Sequence, residues 1–111
     1  MKKEFELIEA IIKNLNLEFA QKYKDFRGIF LFGSYARKDY NKYSDYDLFI
    51  VFDEPKIWKI KDELKYRIYD YEIENLIKID AHFGVTNDLN NPVTPFYENI
   101  KKEGIFYEKG R

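Results

Sequence analysis

The sequence predicts an α/β (α+β) fold, a sheet with helices packed on it, in the order α-β-(α)-β-α-β-α-β. Three observations carry this. Two long segments place apolar residues at helical spacing, the runs Ile29-Phe30-Leu31-Phe32 and DYDLFIVF (45–52) read as buried strands, and LIKIDAHF (76–83) alternates as a third strand should.

The first helix covers 3–24. Phe5, Ile8, Ile12, Leu15 and Phe19 form its stripe, Leu7 and Ile11 widen it, and Lys and Glu fill the rest. Gly28 precedes the first strand and Gly33 ends it. Ser34-Tyr35-Ala36-Arg37 opens a short helix with Ser34 near the N-cap, and 39–44 (DYNKYS) is turn-forming. After the 45–52 strand, Asp53-Glu54-Pro55 stops the sheet and starts a helix. Ile57, Ile60, Leu64, Ile68 and Tyr71 mark the buried face of that helix. The third strand closes at Gly84, 86–95 (TNDLNNPVTP) reads as a loop, Phe96 to Lys102 as a helical turn or two, and Gly104 to Tyr107 as a last strand. With no repeat, low-complexity tract or linker, 1–111 reads as a single domain.

Composition narrows the class. Hydrophobic residues at 45% and charged residues at 35% describe a globular chain, and ten Tyr, ten Phe and one Trp make its core aromatic. A net charge of -1 gives no global basic field, so direct nucleic-acid binding is not expected. The absence of cysteine excludes disulfides, thiolate zinc sites and a cysteine nucleophile, and fits a cytoplasmic setting. The start, MKKEFELIEAIIKNL, is a poor signal peptide, and no apolar run is long enough to span a bilayer. The expectation is a cytoplasmic protein without membrane association.

The chemistry concentrates in FGSYARKDYNKYSDYDL (32–48). On a strand, Asp45 and Asp47 point the same way with Cα atoms about 6–7 Å apart, while Tyr46, Leu48, Ile50 and Phe52 take the other face. Two carboxylates that close are unfavourable without a cation, and a hard ion such as Mg²⁺ is the natural compensation. Gly33 lets backbone approach a ligand, and the helical start that follows offers N–H groups suited to phosphate, with the Ser34 hydroxyl as a further donor. On the third strand Asp80 shares a face with Leu76, Lys78 and His82. Beside the second strand it would complete a three-carboxylate site for two metals, able to activate an attacking oxygen and stabilise a leaving pyrophosphate.

Gly33-Ser34, the Asp45-Tyr46-Asp47-Leu48 run and the later strand Asp80 together resemble the DNA polymerase β-like nucleotidyltransferase superfamily. The wording GSYAR…SDYDL is most similar to the minimal nucleotidyltransferases of prokaryotes, and the likeness extends to the closing PFYENIKKEGIFYE. The resemblance implies a mixed sheet flanked by helices. It implies triphosphate held by Gly33 and Ser34, and Mg²⁺ ligated by Asp45 and Asp47. Asp80 would both ligate metal and activate the acceptor hydroxyl. The implied reaction moves a nucleoside monophosphate, AMP from ATP, onto an acceptor hydroxyl. Many minimal members neighbour a HEPN-domain toxin and act as its antitoxin, some by adenylylating a toxin tyrosine. Such relatives often read Gly-Ser-x-Ala-Arg-Gly; here Lys38 replaces the second glycine, narrowing the turn or adding a cation near phosphate.

Blander readings compete for single residues. Arg37 is a phosphate contact or a solvated helix residue. His82, the one histidine, reads as structural ahead of general base. Tyr35, Tyr40 and Tyr43 read as surface, Lys38 and Lys78 as solvent-facing, and Trp58 as core or interface. Asp88 and Glu98 read as solvated charges. At the level of function, an enzyme modifying a protein partner, a HEPN toxin or a copy of itself, stands beside two alternatives. One is an antitoxin acting by complex formation alone, and the other a small-molecule nucleotidyltransferase of the aminoglycoside-modifying kind.

Overall fold

The computed structural model describes residues 2–110. The elements run α1 (Lys2–Lys22), β1 (Phe26–Phe32), α2 (Gly33–Arg37), β2 (Tyr46–Phe52), α3 (Ile57–Asn75), β3 (Ile79–Val85), α4 (Thr86–Asn90), α5 (Pro95–Glu103) and β4 (Ile105–Glu108). The four strands form one mixed sheet in the order β3-β2-β1-β4. β1 is antiparallel to β2 and β4, while β2 and β3 are parallel and joined through α3.

Alternation along β2 decides which helices cover which face. Tyr46, Leu48, Ile50 and Phe52 face the main core with Ile8, Ile12, Leu15 and Phe19 of α1 and Ile57, Leu64 and Ile68 of α3. Phe49 and Val51 face the other way, onto Leu89 of α4 and Ile100 of α5. The sheet thus lies between two helical layers, the arrangement that buries both faces of a central strand. Among the described residues no helix is long and apolar enough to cross a membrane.

Three sequence-derived boundaries are corrected. Leu76, read as the first residue of a strand, is instead the left-handed C-cap of α3 (φ 53°) and is almost fully exposed; β3 begins at Ile79. Gly84, read as the end of that strand, lies within it, under the ring of Phe49, which a β-carbon there would strike. Part of the expected 86–95 loop is the short helix α4, whose Leu89 is drawn into the second core. Smaller differences lie at β1, which starts three residues before Ile29, and at Asp45, which sits just outside β2.

One polar side chain ties the ends of the fold together. Asn16 is fully buried, and its Nδ2 donates to the carbonyls of Tyr107 (3.0 Å) and Glu108 (3.2 Å), fastening α1 to β4. Asn16→Ala should lower stability by about 1–3 kcal/mol in denaturant unfolding, a loss larger than that of an alanine at exposed Lys13.

Candidate active site

The site grows from the junction of β1 and α2. Gly33 adopts φ 72°, a left-handed conformation that L side chains rarely take. A β-carbon there would collide with the carboxylate of Asp47, opposite in the β1–β2 register through Phe32. The missing side chain is therefore the space that Asp47 occupies. Asp47 in turn pairs directly with Asp80 across the parallel β2–β3 ladder. Gly33, Asp47 and Asp80 stand in a row at one end of the sheet, with Asp45 two residues before Asp47.

Electrostatics reflects the crowding. Partial burial holds the Asp47 carboxyl above its ordinary range; the negative charges of Asp80 and Asp45 add to this, while His82 and Arg37 oppose it. The two outer carboxylates lean toward nearby basic side chains. Asp80 meets His82 Nε2 at 3.2 Å, and Asp45 meets Lys78 Nζ at 3.9 Å. In consequence no group of three or more His, Cys, Asp or Glu side chains among the described residues is arranged to hold a metal ion. The three carboxylates share a neighbourhood, near enough for Asp80 and Asp45 to act on the Asp47 carboxyl, without converging on one point.

The other expected residues divide. Ser34 lies inside α2 and caps nothing; Phe32 is the N-cap residue, without a side-chain hydrogen bond. Arg37 ends α2 with its guanidinium between Asp39 (3.2 Å) and Glu103 (3.9 Å). Lys38 takes φ 68° as the left-handed C-cap of α2, a conformation glycine adopts without strain, and its ammonium lies 4.0 Å over the ring of Phe5. It neither narrows the β1–α2 turn nor faces Asp47; its charge is spent on α1.

Tyr35, read as surface, is instead buried, stacked on Tyr40 at 4.1 Å and against Tyr46 at 4.4 Å, and so anchors α2 beneath the site. Trp58 is half exposed and outside the core. Lys78 is solvent-facing as expected. The sequence reading missed the aromatic wall around His82, whose ring lies 5.6 Å from Phe32 and 5.3 Å from Phe96. The Phe32-Gly33 and Pro95-Phe96 pairs were its only trace, too common to read alone.

The mixed sheet, the glycine-carboxylate junction and the second strand carboxylate are the features that the resemblance to nucleotidyltransferases implies. Residues 12–107 match the model of the nucleotidyltransferase domain family, and the chain belongs to that family. Among solved structures it is similar to a Sulfolobus solfataricus protein assigned as a nucleotidyltransferase, at 20% identity and a TM-score of 0.57, over 96% of this chain and 80% of that one. That likeness supports the fold. No curated protein matches the chain.

Two outcomes test the geometry. Because the Asp47 carboxyl is raised, the folded protein holds that proton more tightly than the unfolded chain, so stability falls as pH rises through the interval between the two values. Asp47→Asn should therefore melt higher than wild type near pH 7, with the difference shrinking once the solution is acid enough to protonate Asp47 in both states. Lys38→Gly should raise stability by about 0.5–1 kcal/mol through relief of the left-handed strain, less the ring contact with Phe5, and leave nucleotide affinity within about twofold by titration calorimetry.

Proposed function

We propose that this domain transfers a nucleoside monophosphate, AMP from ATP, to a hydroxyl on a partner protein, with Gly33, Ser34 and Arg37 on the triphosphate side and Asp45, Asp47 and Asp80 on the metal and acceptor side. The observation that carries the reading is the Gly33–Asp47 fit, in which a side chain at the turn would be strained in its backbone and would displace the Asp47 carboxylate. Family membership supports nucleotidyl transfer as the reaction class.

The donor set suits a hard divalent cation, since all three side chains offer carboxylate oxygens and the Asp47 carboxyl already feels excess negative charge. Mg²⁺ bound there, as two ions in this reading, would neutralise phosphate charge and favour ionisation of the attacking hydroxyl. The chain's own groups then have separate tasks. Gly33 admits the triphosphate against the backbone, and Ser34 offers a hydroxyl donor. Arg37 contributes positive charge near Asp47. Asp80, half exposed beside His82, accepts the proton of the acceptor hydroxyl as its oxygen bonds to the α-phosphorus. The bond from that phosphorus to the bridging oxygen breaks, and pyrophosphate leaves.

For the acceptor, the resemblance to minimal nucleotidyltransferases supports a HEPN-type toxin, which the protein would inactivate as an antitoxin. Exposure of Asp80 supports an acceptor arriving from outside the domain. The chain should therefore label such a partner when incubated with ATP carrying a labelled α-phosphate and Mg²⁺, the modified residue being located by mass spectrometry. Asp47→Asn should reduce transfer at least about a hundredfold, and Gly33→Ala should abolish the thermal stabilisation given by Mg-ATP. Full toxin neutralisation by Asp47→Asn, with no modified residue anywhere, would replace this reading by neutralisation through complex formation.

A further inference from the structure

We infer that α3 is a self-association surface, pairing antiparallel with α3 of a second copy of this chain about a two-fold axis near Tyr69. The buried face of α3, carried by Ile57, Leu64 and Ile68, is fully used by the sheet. Its opposite face nonetheless carries a run of exposed apolar side chains, interrupted by Asp62 between Trp58 and Tyr66. Trp58, Tyr66, Tyr69, Ile73 and Leu76 are 52%, 75%, 55%, 56% and 93% exposed. From Tyr66 onward they follow the 3-4-3 spacing of a helix–helix seam rather than the scatter of incidental surface residues.

Charge identifies the occupant. The first half of α3 carries Lys59, Lys61 and Lys65 against Asp62 and Glu63, a small positive excess, while after Arg67 the helix carries Asp70, Glu72 and Glu74 with no basic residue in its last turn. This order opposes the helix dipole, which favours acids at the N-terminus and bases at the C-terminus. Within one chain the arrangement is unhelpful; against an antiparallel copy it is self-complementary, as an isologous two-fold contact requires. Lys65 then faces the Glu72 region of the second copy, on the same flank of the stripe. Two acids on the other flank that would face the second copy are already paired within the chain: Glu63 with Lys22, and Asp70 with Arg67 at 3.4 Å. Arg67 is shared between Asp70 and Glu18, 2.8 Å from the latter, which leaves Glu72 and Glu74 as the part of the acidic half's charge that Arg67 does not compensate.

The stripe also borders a cleft of about 540 Å³ between α3 and β3, lined by Tyr66, Tyr69 and Glu72 and reaching Asp80. A second copy seated on the stripe becomes part of that cleft's wall, which places association next to the candidate active site without using its residues.

Sedimentation equilibrium of the purified full chain tests this. The expected result is a concentration-dependent dimer, twice the 13.5 kDa chain mass, weakened at least about tenfold by Ile73→Glu, and likewise by Lys65→Glu, with the circular dichroism spectrum of both variants unchanged. Because the chain has no cysteine, Tyr69→Cys reports the contact directly. Under mild oxidation it should form a covalent dimer much faster than Lys101→Cys at the same concentration. A chain that stays monomeric at every concentration would overturn the inference. So would a dimer indifferent to both charge variants, or equal cross-linking rates at positions 69 and 101, even if nucleotidyl transfer is intact.

Discussion

The site depends on a volume that only glycine leaves free. The carboxylate of Asp47 occupies the space where a β-carbon of Gly33 would stand, and Gly33 holds a backbone conformation that other residues resist. Everything nearby is arranged around that fit. The β1–β2 register puts the two residues side by side, the β2–β3 register places Asp80 next in line, and the buried Tyr35 fixes the helix that follows the turn. The constraint is steric first and electrostatic second: room at Gly33 decides where the charge sits, and partial burial, with the neighbouring carboxylates adding to it, decides how unfavourable it is there.

How much of this was legible in the sequence follows from which physical signals are local. The alternation of β2 gave both the strand and its two faces correctly, because each residue's side is set by its parity alone. The stripes of α1 and α3 were equally plain. Asp47 and Asp80 could be placed on one face from sequence, and their direct pairing could be expected once the strands were neighbours. What failed was whatever depended on a distant partner. Gly84 looks like a strand terminator until Phe49 is seen above it, and Leu89 looks like loop until the second core is assembled. Tyr35 reads as surface because its burial is supplied by Tyr40 and Tyr46, eleven residues apart in the case of the latter. The orientation of the outer carboxylates, toward Lys78 and His82, was equally out of reach, since strand parity gives a face and no rotamer.

Lys38 illustrates how a departure from a motif can be absorbed. The position demands a left-handed backbone, which explains why glycine is common there in the resembling proteins. Here the lysine accepts the strain and places its ammonium on Phe5, so the cost is met by α1 and the Gly33 side of α2 is untouched. A residue can thus differ at a motif position while its side chain belongs to another part of the structure.

The tie from Asn16 to β4 spans 91 residues of sequence, and it has a consequence for any state in which the sheet is incomplete. β1 lies inside the sheet only because β4 covers its outer side, pairing Gly28 through Leu31 with Ile105 through Glu108. Without that last strand in place, Ile29, Phe30 and Leu31 present an open, apolar strand edge of the kind that recruits other chains. Any state in which β4 is undocked is therefore exposed to edge-to-edge association, and the buried amide of Asn16 is the latch that holds β4 in place.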